Sequence, residues 1–506
     1  NLRAWDFPGA YPVPWREYKV AIPEFYNYVI LSQGYQPFSF KDQKEKRETF
    51  IVDQGGEGGG GMSTSNGRVT FTAAVTETRW VMQQMPALRE ENYTSTLKNH
   101  ISRVEFQLAE LREPVFSPKK YMNTWEDIAA DLMHSEDFGY PLDNNTEWLG
   151  RILVSLGASP DSLSAAKKIY SYVQDNMTCT NYNRTKLEGN LETIVRSRSG
   201  SVAAINLFLT ALLRKAGYRA EPVILSTRSH GYVFAKYPLM DRFNYVITRL
   251  SLDSNMYYLD ASRSGLGFGR FSFECYNGHA RIVNPEATAV DLVPDSVVER
   301  KQVTVSLVNR PGGGLRGTMV EAPGYFESYS LRSILKERGE ELLYLDIKRN
   351  IGVETAVSDL QIESLQHYEE PLVYRYHFDL DTGTPEMLYI NPMLGEGWRS
   401  NPFQSTDRFY PVEMPYAIDE TYTLRLDIPD GYSVEELPEP VVVRLNDADE
   451  GHFEYRVLEA NGVISLRSRV RINRAFFLPE EYEMLREFFN LVVAKHNEQI
   501  VFRKKQ

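Results

Sequence analysis

Apolar and polar residues alternate with a period of two along much of the first hundred residues. Tyr18-Lys-Val-Ala-Ile22, Val69-Thr-Phe71 and Val104-Glu-Phe106-Gln-Leu108 each put their apolar side chains on one side, which predicts strands with one buried face. The stretch Gly55-Gly-Glu-Gly-Gly-Gly-Gly61 lacks the Gly-Lys-Ser/Thr ending of a phosphate-binding loop and reads as a flexible hairpin tip. Near Tyr121 the period lengthens. Thr124 and Asp127 are spaced as a capping box, with Trp125, Ile128 and Leu132 on one helical face. A second helix is predicted from Ser162 to Asn176 through Leu163, Ala166, Ile169 and Val173, and a short third from Asn190 to Arg196. Ser201 to Ala216 is apolar nearly all round (Ile205, Leu207, Phe208, Leu209, Leu212, Leu213), which predicts a helix at the centre of a domain. Gly217 ends it, after Arg214 and Lys215 in the last turn.

The period then returns to two. Glu221–Ser226, Phe243–Thr248 and Met256–Leu259 read as strands, the last two joined by a turn at Asp253-Ser-Asn255. Beyond Pro294 the clearest strand patterns are Val303–Leu307, Leu342–Leu345, Tyr374–Phe378, Tyr422–Leu426 and Val463–Ser468. Turn markers such as Gly312-Gly-Gly314 and Pro429-Asp-Gly431 separate them. Pro479 opens a last amphipathic helix with Tyr482, Leu485, Phe489 and Val492 facing inward. The expected fold class is multidomain and mainly β, with one α+β domain. Its expected parts are an N-terminal β-sandwich portion over 1–117, an α+β core over 118–293, a β-sandwich over 294–385, and a C-terminal β-sandwich with the terminal helix over 386–506.

Composition narrows the function classes. At 506 residues the chain exceeds one core, and a net charge of −12 argues against nucleic acid as a partner, because phosphate binding needs a basic face. No apolar run approaches the roughly 20 residues of a membrane-spanning helix, so the chain is not expected to be transmembrane. The two cysteines, Cys179 and Cys275, support neither a disulfide framework nor a structural zinc site, and whether they pair stays open. The eight histidines include no His-x-x-x-His spacing, so no metal and no cofactor is predicted. Asp379-Leu-Asp-Thr-Gly383 resembles half a calcium loop but lacks the later Glu, and a hairpin turn explains it better.

The central region carries a resemblance. A buried helix entered through Ser199-Gly-Ser201 is followed by a strand ending Ser226-Thr-Arg228, then Phe243-Asn-Tyr-Val-Ile247 and Tyr258-Leu-Asp260. This order resembles the transglutaminase-like superfamily with its papain-like core. There the helix opens Gly-x-Cys with an acidic residue following, and the next elements read Asn-His-Val and Leu-Asp-Pro/Ala. Such chemistry needs a thiolate favoured by a helix N-terminus, a His to take its proton, and an Asp to orient the His. Matched position by position, Gly200 is the motif glycine, Val202 falls at the nucleophile, Tyr245 after Asn244 at the general base, and Asp260 at the orienting acid. Ala204 stands where the acidic residue belongs. Valine has neither lone pair nor proton to give, and a phenol with a pKa of about 10 is a poor base at neutral pH.

The resemblance extends to the flanks. Trp5-Asp-Phe, Pro12-Val, Tyr18 and Ile22-Pro-Glu-Phe-Tyr ahead of the core, and Phe409-Tyr-Pro-Val412, Pro429-Asp-Gly-Tyr432, Leu437-Pro-Glu-Pro440 and Val493–Ile500 behind it, are similar to bacterial envelope proteins that carry such a core between β-sandwich domains of unknown function. This implies a periplasmic, cell-envelope or secreted location. It also implies a further β segment before Trp5, so the N-terminal sandwich is expected to be incomplete.

Gly200, Ser201, Arg228, His230 and Asn244 are the candidate cleft-lining residues. His230 could touch a ligand or act as a displaced base, though a surface-loop histidine before a glycine is the plainer reading. Arg228 could hold an anion, or pair with Asp241 or Asp260. The expected function is a non-catalytic transglutaminase-like protein that binds or scaffolds a peptide, protein or glycan in the bacterial envelope. The alternative is a hydrolase or acyltransferase with a relocated nucleophile, Ser201 or Cys179, assisted by His230. A purely structural spacer is a third reading, which requires the cleft to be filled by side chains. If the cleft is merely vestigial, Val202→Cys with Tyr245→His should rebuild a reactive thiol.

Overall fold

Alternating strands with one buried face can close a core only by facing a second layer, and the chain does this repeatedly. A computed structural model describes residues 2–7, 9, 11–54, 67–112, 117–351 and 356–506. It is mostly β, 39% strand against 24% helix. The Gly55–Gly61 stretch lies outside the described residues. The chain forms two compact units, one of Asn1–Ile128 with Phe234–Met240, the other of Ala129–Val233 with Asp241–Gln506.

In the first unit, strands Val13–Pro23, Gly67–Met85 and Phe40–Gln54 make one antiparallel sheet. Trp5–Asp6, Arg103–Leu111 and Tyr26–Gln33 belong to a second. Val20, Trp80 and Met82 from the first sheet and Val104 and Phe106 from the second share one core with Phe7 and Met85. The capping box forms as its spacing predicts: Thr124 N donates to Asp127 Oδ2 at 3.0 Å and Asp127 N to Thr124 Oγ1 at 3.2 Å.

The second unit begins with helices and continues into a five-stranded antiparallel sheet. Its order is Asn255–Leu259, Tyr245–Leu252, Arg219–Leu225, Gly278–Ile282, Ala289–Leu292. The Val202–Lys215 helix is buried along twelve consecutive residues, Val202 to Leu213, as its all-round apolarity requires, and packs on the two central strands.

Beyond it lies an eight-stranded sheet that includes Ala356–Glu363, Val373–Leu380, Leu315–Ala322, Val298–Asn309, Ala417–Asp427 and Val463–Ile472. Val298–Asn309 and Ala417–Asp427 pair in parallel, so one continuous sheet crosses the expected boundary near Pro385. The 294–385 and 386–506 segments therefore share a sheet. A second difference concerns Leu342–Leu345, which is not a strand but part of the Glu341–Ile351 helix. Leu343 and Ile347, four residues apart, supply its buried face, while Leu345 is exposed. The preceding helix, Tyr325–Arg338, carries no strong apolar stripe. Its N-terminus is held instead by Glu299, whose carboxylate accepts from Phe326 N at 2.7 Å and Glu327 N at 3.0 Å. Among the described residues no helix is long and apolar enough to cross a membrane.

Candidate functional site

Gly200 and Ser201 lead into the central helix through a short strand, Ser199–Ser201, paired in parallel with Thr178–Asn181. A Cβ on Gly200 would lie 2.8 Å from Ile194 Cγ2 and 3.0 Å from Ala204 Cβ, so close packing alone demands glycine. Gly200→Ala is expected to lower stability by about 1–3 kcal/mol through overpacking, read as a shift of the thermal unfolding midpoint. Ser201 is the N-cap, its hydroxyl accepting from Ala204 N at 3.4 Å, and it is buried.

Val202 follows as the first helical residue and packs in the same cluster as Tyr245, Ile247 and Cys275. Tyr245 begins one strand, and Asp260 directly follows its antiparallel neighbour. The three positions that the family motif singles out thus meet at the helix N-terminus. Each is 0% exposed.

Polar atoms buried this deeply must be paired, and here they are. Tyr245 donates its hydroxyl to Asp260 Oδ2 at 2.8 Å, while Arg263 Nε donates to the same hydroxyl at 3.3 Å. The other carboxylate oxygen accepts from Asn206 Nδ2 at 2.9 Å, Ser262 N at 3.0 Å and Ser262 Oγ at 2.6 Å. Asn206, from the second turn of the helix, also donates to Val246 O at 2.8 Å and accepts from Ala261 N at 2.9 Å. Tyr170 donates to Asp260 O at 3.0 Å. Burial first, and then the Asp260 carboxylate, hold the Tyr245 phenol well above its ordinary pKa. Burial alone would lower Arg263, but Tyr245 and Asp260 beside it raise it instead. The group is a closed polar knot with Tyr245 as a protonated donor.

The other candidates sit elsewhere. Asn244 joins two strand ends, accepting from Thr227 N and donating to Thr227 Oγ1, both at 2.9 Å. His230 lies in the loop beyond, its Nε2 3.3 Å from the Asp241 carbonyl oxygen. Arg228 pairs with neither Asp241 nor Asp260. It is buried beyond the end of the Arg219–Leu225 strand and donates to the Glu413 carbonyl at 2.6 Å, facing the Glu413 and Glu274 charges. There it lines a cavity of about 400 Å³ with Tyr232, Tyr276, Glu413 and Phe476.

Cys179 lies in register with Gly200, a proximity that sequence separation conceals. Its thiol donates to Asn181 O at 3.6 Å, and burial pushes it above the usual thiol range. Cys275 is buried, its thiol pushed well up by the same cause, and both cysteines are free. Asn206, Ser262, Arg263 and Tyr170 were not singled out by the sequence. An amide within an otherwise apolar helix was the available signal for Asn206.

A central helix against an antiparallel sheet, with these positions meeting at its N-terminus, defines a papain-like core. Residues 152–249 match the model of the transglutaminase-like superfamily, and residues 386–502 match that of a Domain of Unknown Function, DUF3858. Residues 152–249 thus form a transglutaminase-like core, and a DUF3858 domain lies behind it. Among solved structures it is similar to a candidate protease from Parabacteroides distasonis, with 12% identity and a TM-score of 0.49 over 99% of this chain and 74% of that one. It is also similar to a candidate cysteine protease from Cytophaga hutchinsonii, with 11% identity and a TM-score of 0.19 over 52% of this chain and 79% of that one. At these scores neither carries an argument about this chain's chemistry. No curated protein matches it.

Proposed function

We propose that this is a non-catalytic transglutaminase-like protein, a binding or scaffold module for a peptide, protein or glycan of the bacterial envelope. The observation that carries this reading is the closed knot at Val202, Tyr245 and Asp260: no nucleophile, no free base, and no exposed surface where acyl chemistry would occur. The acid that would orient a histidine is committed to Tyr245, Asn206 and Ser262. The envelope setting rests on the resemblance of the flanking motifs.

A relocated nucleophile finds no support in the geometry. Ser201 is a buried N-cap, the Cys179 thiol is held above its usual range, and His230 is engaged with a backbone carbonyl. Burial also changes what Val202→Cys with Tyr245→His should yield. A thiol at a fully buried position is shielded from reagent, and an imidazole is shorter than the phenol that now reaches Asp260. Cysteine at 202 is expected to alkylate more slowly than Cys179.

The decisive test is labelling of the full chain with iodoacetamide and a fluorophosphonate, alongside peptidase and acyl-transfer assays. The expected result is slow, unsaturable alkylation of Cys179 and no turnover. Saturable labelling of Ser201 or Cys179, with activity abolished by Ser201→Ala or Cys179→Ala, would end the non-catalytic reading.

A further inference from the structure

Away from the core, one face of the eight-stranded sheet is roofed by the Tyr325–Arg338 and Glu341–Ile351 helices and the Met393–Trp398 segment, leaving a cavity of about 620 Å³. That is the size of a small-molecule site. Strand register builds its floor. Tyr374, Glu321, Val303, Tyr422 and Ser468 stand side by side on successive strands, and Lys301, Glu420 and Val470 form the next row. Alternation within each strand turns both rows toward the same face.

The charges in this cavity do not balance. Lys301 Nζ lies 2.8 Å from Glu321, 3.1 Å from Glu396 and 3.7 Å from Glu327, the last at the half-exposed mouth. Glu420 makes four carboxylates against this one ammonium. Asp346 and Arg349 pair with each other at 2.9 Å and cancel. Glu420 Oε2 accepts from the Trp398 indole at 2.8 Å, and among the described residues its second oxygen has no hydrogen-bond partner. Uncompensated anionic charge beside low-dielectric walls is costly, and burial raises the Glu420 carboxyl to about 7. Four aromatic residues, Trp398, Tyr374, Tyr376 and Tyr422, are among those lining it, and aromatic rings attract a cation. Among the described residues no His, Cys, Asp or Glu group is arranged to hold a metal ion.

We infer that this cavity binds a primary alkylammonium group, as on a diamine or a lysine side chain, with the unpartnered Glu420 oxygen and Glu396 accepting its N–H donors and the aromatic residues enclosing its methylene stem. The inference deepens the binding-module reading, and the two fail separately. Catalysis at residue 179 or 201 would end that reading and leave this cavity as described, whereas absent amine binding would end this inference and leave the closed core as it is.

Titration of the full chain with 1,5-diaminopentane, followed by calorimetry and thermal shift, tests it. Saturable binding is expected, weakened about tenfold or more in Glu420→Gln by loss of a charge-assisted hydrogen bond. Choline, with no N–H, and 1,5-pentanediol, with no charge, should bind at least about tenfold more weakly. Ile334→Trp, at an exposed residue lining the mouth, should block binding without altering any charge, so the inference stays testable if Glu420→Gln fails to fold. Absence of diamine binding to the wild-type chain would overturn the inference. Equal affinity for choline or the diol would do the same, as would unchanged affinity in Ile334→Trp or in folded Glu420→Gln.

Discussion

Asp260→Ala is expected to destabilise the fold by about 3–5 kcal/mol, as removing one partner of a fully buried charged network does. The carboxylate is 0% exposed and accepts from Tyr245, Asn206 and both donors of Ser262. Alanine would leave the Tyr245 hydroxyl and the Asn206 amide without that acceptor in a site water does not reach. It would also remove the anion facing Arg263. Asp260→Asn keeps the shape but offers one fewer acceptor, so a smaller loss of about 1–3 kcal/mol is expected. Tyr245→Phe should cost a similar amount, through the unpaired carboxylate oxygen. Urea denaturation of the three variants gives the order directly. A residue kept only as a relic of catalysis would tolerate alanine, so a loss under about 1 kcal/mol would refute the structural role assigned to the knot.

How much of this was legible in the sequence follows from how local each signal is. The Ser162–Asn176 helix has the bounds its pattern predicts, because its cap is local too: Asp161 accepts from Ser164 N at 2.8 Å. Leu342–Leu345 misled because four apolar residues in a row suit a strand and a helix equally, and Ile347, just beyond the run, decides the matter. The continuity of the large sheet across residue 385 depends on a parallel pairing between distant strands, which no local pattern announces. The meeting of Val202, Tyr245 and Asp260 was legible only through the family motif. What Asp260 does there depends on Asn206, Ser262 and Arg263, whose side chains look ordinary in one dimension. The cavity was hidden for the same reason as the sheet, since Lys301 and Glu420 become neighbours through that parallel register.

The same cavity predicts an unusual stability profile with pH, because two groups lining it titrate in opposite senses. His496 is buried against Phe453, and its Nδ1 accepts from Trp398 N at 3.0 Å, which leaves Nε2 to donate to Ser468 Oγ at 2.9 Å. Burial lowers this imidazole to about 4, against about 6.5 when free. Between those values the unfolded chain binds the extra proton, so this contribution is lost as pH falls from about 6.5 to 4, a loss of about 3 kcal/mol. Glu420 runs the other way. Burial raises it to about 7, with Lys301 opposing and Glu327 and Glu396 adding to the rise, so the folded chain holds the proton between about 4.5 and 7. That contribution is present below about 4.5 and lost as pH rises through 7, again by about 3 kcal/mol. Over their shared window the two slopes cancel, and the wild-type chain should show little net dependence from this pair. Single substitutions unmask each group. Relative to wild type, Glu420→Gln should gain about 3 kcal/mol between pH 4.5 and 8, and His496→Gln should lose about 3 kcal/mol between pH 4 and 6.5. Urea midpoints at half-unit pH steps provide the measurement. Difference curves that stay flat for both variants would mean that neither group titrates as its surroundings require.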